Sequence, residues 1–187
     1  GHARALEVTE SFFWTFCDDY IELVKDRAND FDGAHDAAAV RSARATLAIA
    51  VDTLVRLFAP FLPFVTEEVW SWYRTGSVHR SAWPQAEGLR EAAAGADADL
   101  VERAGLVLTA LRKVKSEART SQKTPILAVG LAVSARIAPA VEAVRADLIE
   151  AAKVTGAFDV SPAPEDAGPV SITAVELGQA PAKTPRR

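Results

Sequence analysis

The sequence predicts a mainly α fold, an antiparallel helical bundle followed by a small β-α-β-β subdomain. Three observations lead there. Apolar residues recur at helical spacing from Leu6 to Ala118, which marks amphipathic helices with one buried face. Asp, Pro and Gly stand where such helices should start and stop. After Thr124-Pro125 the apolar period changes to two, as in a strand.

The first helix is expected from Arg4 to Arg27, with Leu6, Phe13, Phe16, Tyr20 and Val24 inward and Asp18, Asp19, Glu22 and Asp26 outward. Asn29-Asp30-Phe31-Asp32-Gly33 is turn chemistry. A second helix opens near Asp36, turns Val40, Leu47, Val51, Leu54 and Phe58 inward, and ends before Pro60. The residue preceding a proline is pushed out of the α region. Pro63 suits the first turn of a third helix. Glu67 and Glu68 then sit near the positive end of its dipole, and Val65, Val69, Trp70 and Tyr73 face inward until Gly76 ends it. Ser77 to Pro84 reads as a short extended stretch, and Ala92 to Asp97 as a loop or short helix.

A long helix follows, capped by Asp97 or Asp99, with an inward stripe of Leu100, Ala104, Val107, Leu111, Val114 and Ala118. Next, Leu127, Val129, Leu131 and Val133 alternate with Ile126, Ala128, Gly130 and Ala132, giving a strand with one face of large side chains. Pro139 to Lys153 is helical through Val141, Val144, Leu148 and Ala152, with Gly156 as its stop. Ala157 to Ser161 and Val170 to Leu177 read as two further strands.

By this reading residues 1–2 are the remnant of a cleaved tag, 3–96 the bundle, 97–123 a linking helix with a basic end, 124–178 the α/β subdomain and 179–187 a disordered tail. A chain of 187 residues without methionine, opening on Gly1-His2, reads as a piece of a larger protein. Its net charge of −4 argues against coating nucleic acid through bulk charge but permits a local basic patch. No apolar run is long enough to span a membrane, and the expected location is the cytoplasm. Cys17, amid Phe12, Phe13, Trp14, Phe16 and Tyr20, reads with them as core.

The search for chemistry is mostly negative. There is no phosphate-cradling glycine loop, no His-centred catalytic group and no metal-ligand spacing, so no catalytic or metal residue is assigned. Asp18-Asp19 and Glu67-Glu68 are adjacent on helices, point about 100° apart and cannot converge on one atom. The informative run is Leu111 to Lys123, where Arg112, Lys113, Lys115, Arg119 and Lys123 face one acid, Glu117. Arg112, Lys115 and Arg119 flank the buried stripe and are expected to project together, as phosphate binding requires. The plainer alternative is that a helix C-terminus favours cations. Arg41 and Arg44 form a weaker second candidate.

Several strings then carry a resemblance. Phe12-Phe-Trp-Thr-Phe-Cys-Asp-Asp-Tyr-Ile-Glu-Leu-Val-Lys25 resembles the first helix of the anticodon-binding domain of the valyl-tRNA synthetase family. Leu57-Phe-Ala-Pro-Phe-Leu-Pro-Phe-Val-Thr-Glu-Glu-Val-Trp70 is similar to that family's Pro-Phe-x-Pro-Phe turn and Thr-Glu-Glu-x-Trp helix. Ser77-Val-His-Arg-Ser-Ala-Trp-Pro84 and Lys115-Ser-Glu-Ala-Arg119 resemble its following elements. The Pro-Phe-x-Pro-Phe and Thr-Glu-Glu-x-Trp motifs are shared with isoleucyl- and leucyl-tRNA synthetases; Cys17 to Lys25 favours valine. The resemblance implies a parent that joins valine to tRNA-Val with ATP and Mg²⁺, none of them held by this stretch. Its partners would be tRNA and the parent's catalytic and editing domains. The family's His-Ile-Gly-His and Lys-Met-Ser-Lys-Ser signatures are absent here, and no heptad repeat follows Ser121, where many bacterial members carry a coiled-coil arm. The resemblance implies phosphate contacts at Arg112, Lys115 and Arg119, and it leaves open a module that braces the synthetase core without touching tRNA.

Overall fold

A computed structural model describes residues 1–31, 33–164 and 166–180. Asp32, Glu165 and residues 181–187, which make up most of the expected tail, lie outside it. The chain forms two compact units: residues 1–21 with 27–97, and residues 22–26 with 98–187. The long helix therefore belongs with the sheet, and so does one turn of the first helical stretch.

The first unit is helical. Helix α1 (His2–Thr15) runs into a π-helical turn, Phe16–Ile21, and then into α2 (Glu22–Asn29), whose first five residues belong to the second unit. The wider turn, unforeseen in the apolar spacing, lies within a ladder of stacked rings, Phe12 on Phe16 and Phe16 on Tyr20, with centroids 5.9 and 5.4 Å apart. Helix α3 (Ala37–Phe58) starts where Asp36 accepts the amides of Ala38 and Ala39 at 3.0 Å. It ends at the Pro60 turn, and Pro63 opens α4 (Pro63–Ser71) at its first position. Phe13 meets Phe58 edge to face across α1 and α3.

One small core cluster of this unit is Val55, Ala59, Trp70 and Val78, with Val69 against it. Val51, Val65 and Tyr73, expected inward, are 40%, 52% and 42% exposed. Val51 and Val65 instead line an open apolar groove of about 800 Å³ together with Phe13, Cys17 and Phe58. The exposed Phe12 and Trp14 correct the reading of the whole aromatic cluster as core. Glu67 does not serve the helix dipole: its Oε2 accepts the Ser77 hydroxyl and the Val78 amide, both at 3.0 Å. That bond ties down a 3₁₀ turn, Val78–Arg80, where an extended stretch was expected. A short helix, α5 (Ala86–Ala92), precedes the Ala-rich turns.

The second unit holds the dense core. Helix α6 (Leu100–Glu117) packs against α7 (Ala138–Ala143), α8 (Arg145–Ala151) and the sheet. Strands β1 (Ile126–Val133), β2 (Val154–Pro162) and β3 (Val170–Leu177) stand in the order β2-β1-β3. β1 runs parallel to β2, which needs the helical crossover that α7 and α8 provide, and antiparallel to β3. The β-α-β-β expectation holds, with three local corrections. The expected single helix breaks at Val144, whose ψ is +26°. A register shift between Ile126 and Ala128 turns Ile126 inward and leaves Leu127 40% exposed, so β1 does not alternate cleanly. Gly156 is no helix stop; it lies in β2, where a Cβ would stand 2.1 Å from the Leu127 carbonyl oxygen. The left-handed residue that ends α8 is Lys153, with φ +57°.

Candidate nucleic-acid interface

The basic run divides in the structure according to how α6 ends. Three backbone bonds close the helix: Ala118 N–H to Val114 O, Arg119 N–H to Ser116 O and Thr120 N–H to Lys115 O, each 3.0 Å. This is a Schellman closure, and it requires a left-handed residue at Arg119, whose φ is +52°. The turn swings Arg119 out of the helical row, so it is exposed on a loop.

Lys115 goes the other way. It continues the inward stripe of Ala104, Leu108 and Leu111 and is 1% exposed. Its ammonium donates to the carbonyls of Gln122 at 3.0 Å and Ala152 at 2.6 Å. Desolvation, and secondarily the charge of Lys153, lower its pKa below the ordinary lysine value. Arg112 is partly covered and bonds Glu22 Oε2 at 2.6 Å, the same oxygen that Lys25 bonds at 2.8 Å. The three cations expected to project together thus do not: one is buried, one is engaged by a carboxylate, and Arg119 alone stands clear. Lys113 is exposed and pairs loosely with Glu117 at 3.7 Å, and Lys123 is exposed on the loop.

Folding supplies what the run lacks. Lys25 from α2 and Lys153 from the α8–β2 junction join Arg112, Lys115 and Lys123 around a cleft of about 300 Å³. Glu22 also lines it, and Asp26 holds Lys153 at 2.7 Å. Lys25 and Lys153 lie far from the run in sequence, and the hint they offered was a cation two residues past Ala151, at a helix end. Of the second candidate pair, Arg44 donates to the carbonyls of Ala28 and Asn29 at 2.7 and 3.3 Å and so caps α2, while Arg41 is exposed.

The first unit has a polar cluster that sequence reasoning missed. Asp52 accepts Arg56 on one oxygen and Arg74 on the other, the latter at 3.0 and 3.3 Å. The Arg74 guanidinium lies 5.9 and 5.8 Å from the Trp70 and Tyr73 rings. Burial, followed by the Asp52 charge, raises the Tyr73 pKa. Among the described residues no group of three or more His, Cys, Asp or Glu could hold a metal, and no helix is long and apolar enough to cross a membrane.

The chain thus joins a helical unit to a helix-and-sheet unit whose cleft gathers five cations. The chain belongs to the family described as the anticodon-binding domain of tRNA ligase, which matches residues 2–131. It is similar to valine–tRNA ligase of Bifidobacterium longum strain DJO10A, 47% identical over 99% of this chain and 22% of the relative. It is also similar to that of Cutibacterium acnes, 46% identical over 98% of this chain and 20% of the relative. A third such relative, from Thermobifida fusca, is 49% identical over 82% of this chain and 17% of its own length. The chain therefore spans about a fifth of the length of the relatives it matches.

Proposed function

We propose that this chain is the tRNA-gripping end of a valine–tRNA ligase, recognising the anticodon arm of tRNA-Val. The parent, on this reading, attaches valine to that tRNA with ATP and Mg²⁺ in catalytic and editing domains elsewhere in the polypeptide, in the cytoplasm. The observation that carries the reading is the cleft. In a chain of net charge −4, five cations converge on one opening beside two engaged carboxylates. Such a concentration attracts a phosphate backbone by displacing its counterions. Arg119, Lys123 and Lys113 are the exposed contacts; Arg112 is partly covered and Lys115 is the buried member of the cleft. Arg41 is a further contact on the first unit, and Arg44 serves its helix end. Phosphate contacts set register, and unstacked bases supply identity through rings and polar groups. The names of the relatives favour valine over isoleucine or leucine.

The test is a competition among transcripts of tRNA-Val, tRNA-Ile and tRNA-Leu for the 187-residue chain across a salt series. The expected result is preference for tRNA-Val, with affinity falling by roughly 0.7–0.9 log units per log unit of salt for each phosphate neutralised. No affinity for any tRNA at low salt would refute RNA recognition and return the reading to a bracing module. Equal affinity for all three would refute the valine assignment alone.

A further inference from the structure

The cleft in the second unit has a feature that a general basic surface lacks. Its lining includes a lysine ammonium that is 1% exposed and has two acceptors among the described residues, the neutral carbonyls of Gln122 and Ala152. An ammonium has three donors, so one is unused. Buried charges are ordinarily paired with an opposite charge. Here the carboxylate of the cleft and its neighbour are committed elsewhere: Glu22 to Lys25 and Arg112, Asp26 to Lys153.

The geometry also has a pattern. Each carbonyl on Lys115 belongs to the residue just before a cation of the cleft, Gln122 before Lys123 and Ala152 before Lys153. The buried ammonium thus fixes the two backbone segments that deliver the flanking charges. Lys153 is held at φ +57°, a conformation L side chains disfavour. A compact anion with several acceptor oxygens would satisfy the third donor of Lys115 and the flanking cations together.

We infer that this cleft is a discrete phosphate pocket with Lys115 as its buried donor, and that it seats one backbone phosphate of the bound RNA. The inference rests on the proposed RNA recognition and adds to it a specific seat. The charged groups that line the cleft with Lys115 are Glu22 and Lys25 from α2, Arg112 from α6, Lys123 from the loop and Lys153 after α8; Asp26 is bonded to Lys153, and α8, packed on α6, carries Asp147 and Glu150. Burial and Lys153 disfavour the charged form of Lys115, and an anion in the pocket opposes both. Phosphate binding is therefore coupled to proton uptake at alkaline pH.

The experiment follows the Lys115 side-chain nitrogen by NMR in the ¹⁵N-labelled 187-residue chain. The probes are inorganic phosphate and an RNA hairpin of the tRNA-Val anticodon arm, at ionic strength held constant with chloride. Both should shift the Lys115 signal saturably and raise the pH at which it deprotonates. Lys115→Met should abolish the phosphate-induced shifts of the Lys123 and Lys153 backbone amides and weaken the hairpin about tenfold, the loss expected for one charged hydrogen bond. Lys153→Gln, which leaves the buried contacts in place, should weaken both probes and keeps the test open should Lys115→Met unfold. A hairpin that binds without moving the Lys115 signal overturns the pocket and leaves RNA recognition standing. A response to phosphate alone, with the hairpin bound elsewhere, overturns RNA as the occupant. A hairpin that does not bind at all overturns the functional reading itself.

Discussion

Arg119→Gly should make this protein more stable and a poorer RNA binder at once. Arg119 occupies the left-handed position of the Schellman closure, with φ +52° and its amide bonded to Ser116 O at 3.0 Å. A side chain there costs about 1–2 kcal/mol relative to glycine. Glycine returns about 0.4–1 kcal/mol through its freer unfolded chain. The balance is a gain of up to about 1.6 kcal/mol, with a midpoint of about 0.8, or a rise in melting temperature of about 2–3 °C at that midpoint for a chain of this size. Trp14, Trp70, Trp72 and Trp83 all lie in the first unit and so give no local signal at Arg119. Far-ultraviolet circular dichroism, or amide exchange at Thr120, would report it. The same substitution removes an exposed cation and should lower the salt slope of tRNA binding by roughly 0.7–0.9. Arg119→Ala separates the two effects: it loses the cation, keeps the strained backbone and should show the affinity loss without the stability gain. If glycine is no more stabilising than alanine, the strain argument fails. If neither changes the slope, Arg119 does not meet phosphate.

Three further outcomes follow from the same contacts. Gly156→Ala drives a Cβ to 2.1 Å from backbone Leu127 O and should cost about 3 kcal/mol or more, whereas Gly130→Ala meets only the rotatable Thr173 hydroxyl at 2.6 Å and should cost less than half as much, both read by urea midpoint. Glu67→Ala leaves the Val78 amide and Ser77 hydroxyl without their 3.0 Å acceptor and should destabilise the first unit by about 1–3 kcal/mol, visible in tryptophan fluorescence. The folded pKa of Lys115 is lowered from 10.5, so below it the burial penalty is fully present. Between the lowered pKa and 10.5 the unfolded chain binds more protons, and stability from this group rises with pH. Lys115→Met should lack that rise in denaturation midpoints measured from neutral pH to about 10.5.

Features set by local chemistry were legible in the sequence. Asp36, Pro60 and Pro63 each act within a turn or two of themselves, and the ends of α3 and the start of α4 fell where they stand. Gly156 misled because the same residue type serves two purposes. It ends helices through positive φ, and it admits close backbone approach in strands; which of these applies depends on Leu127, nearly thirty positions away. The bulge at Leu127 was equally hidden, since its register is set by β2 and β3.

The site was legible only in part, for a reason visible at Lys115. On α6 the spacing that joins Leu108, Leu111 and Lys115 into one inward stripe resembles the spacing that joins Arg112, Lys115 and Arg119 into an outward row. Charge argued for the outward row, yet the stripe prevailed. A long lysine stem buries its methylenes well, and two carbonyls wait at the end of this one. The same choice explains why the cations of the cleft are dispersed in sequence. Once Lys115 turns inward, it fixes the loop at Gln122 and the junction at Ala152, and each segment presents the lysine that follows. The buried member of the basic run therefore positions the charges around it, and the exposed row that sequence spacing suggests does not form.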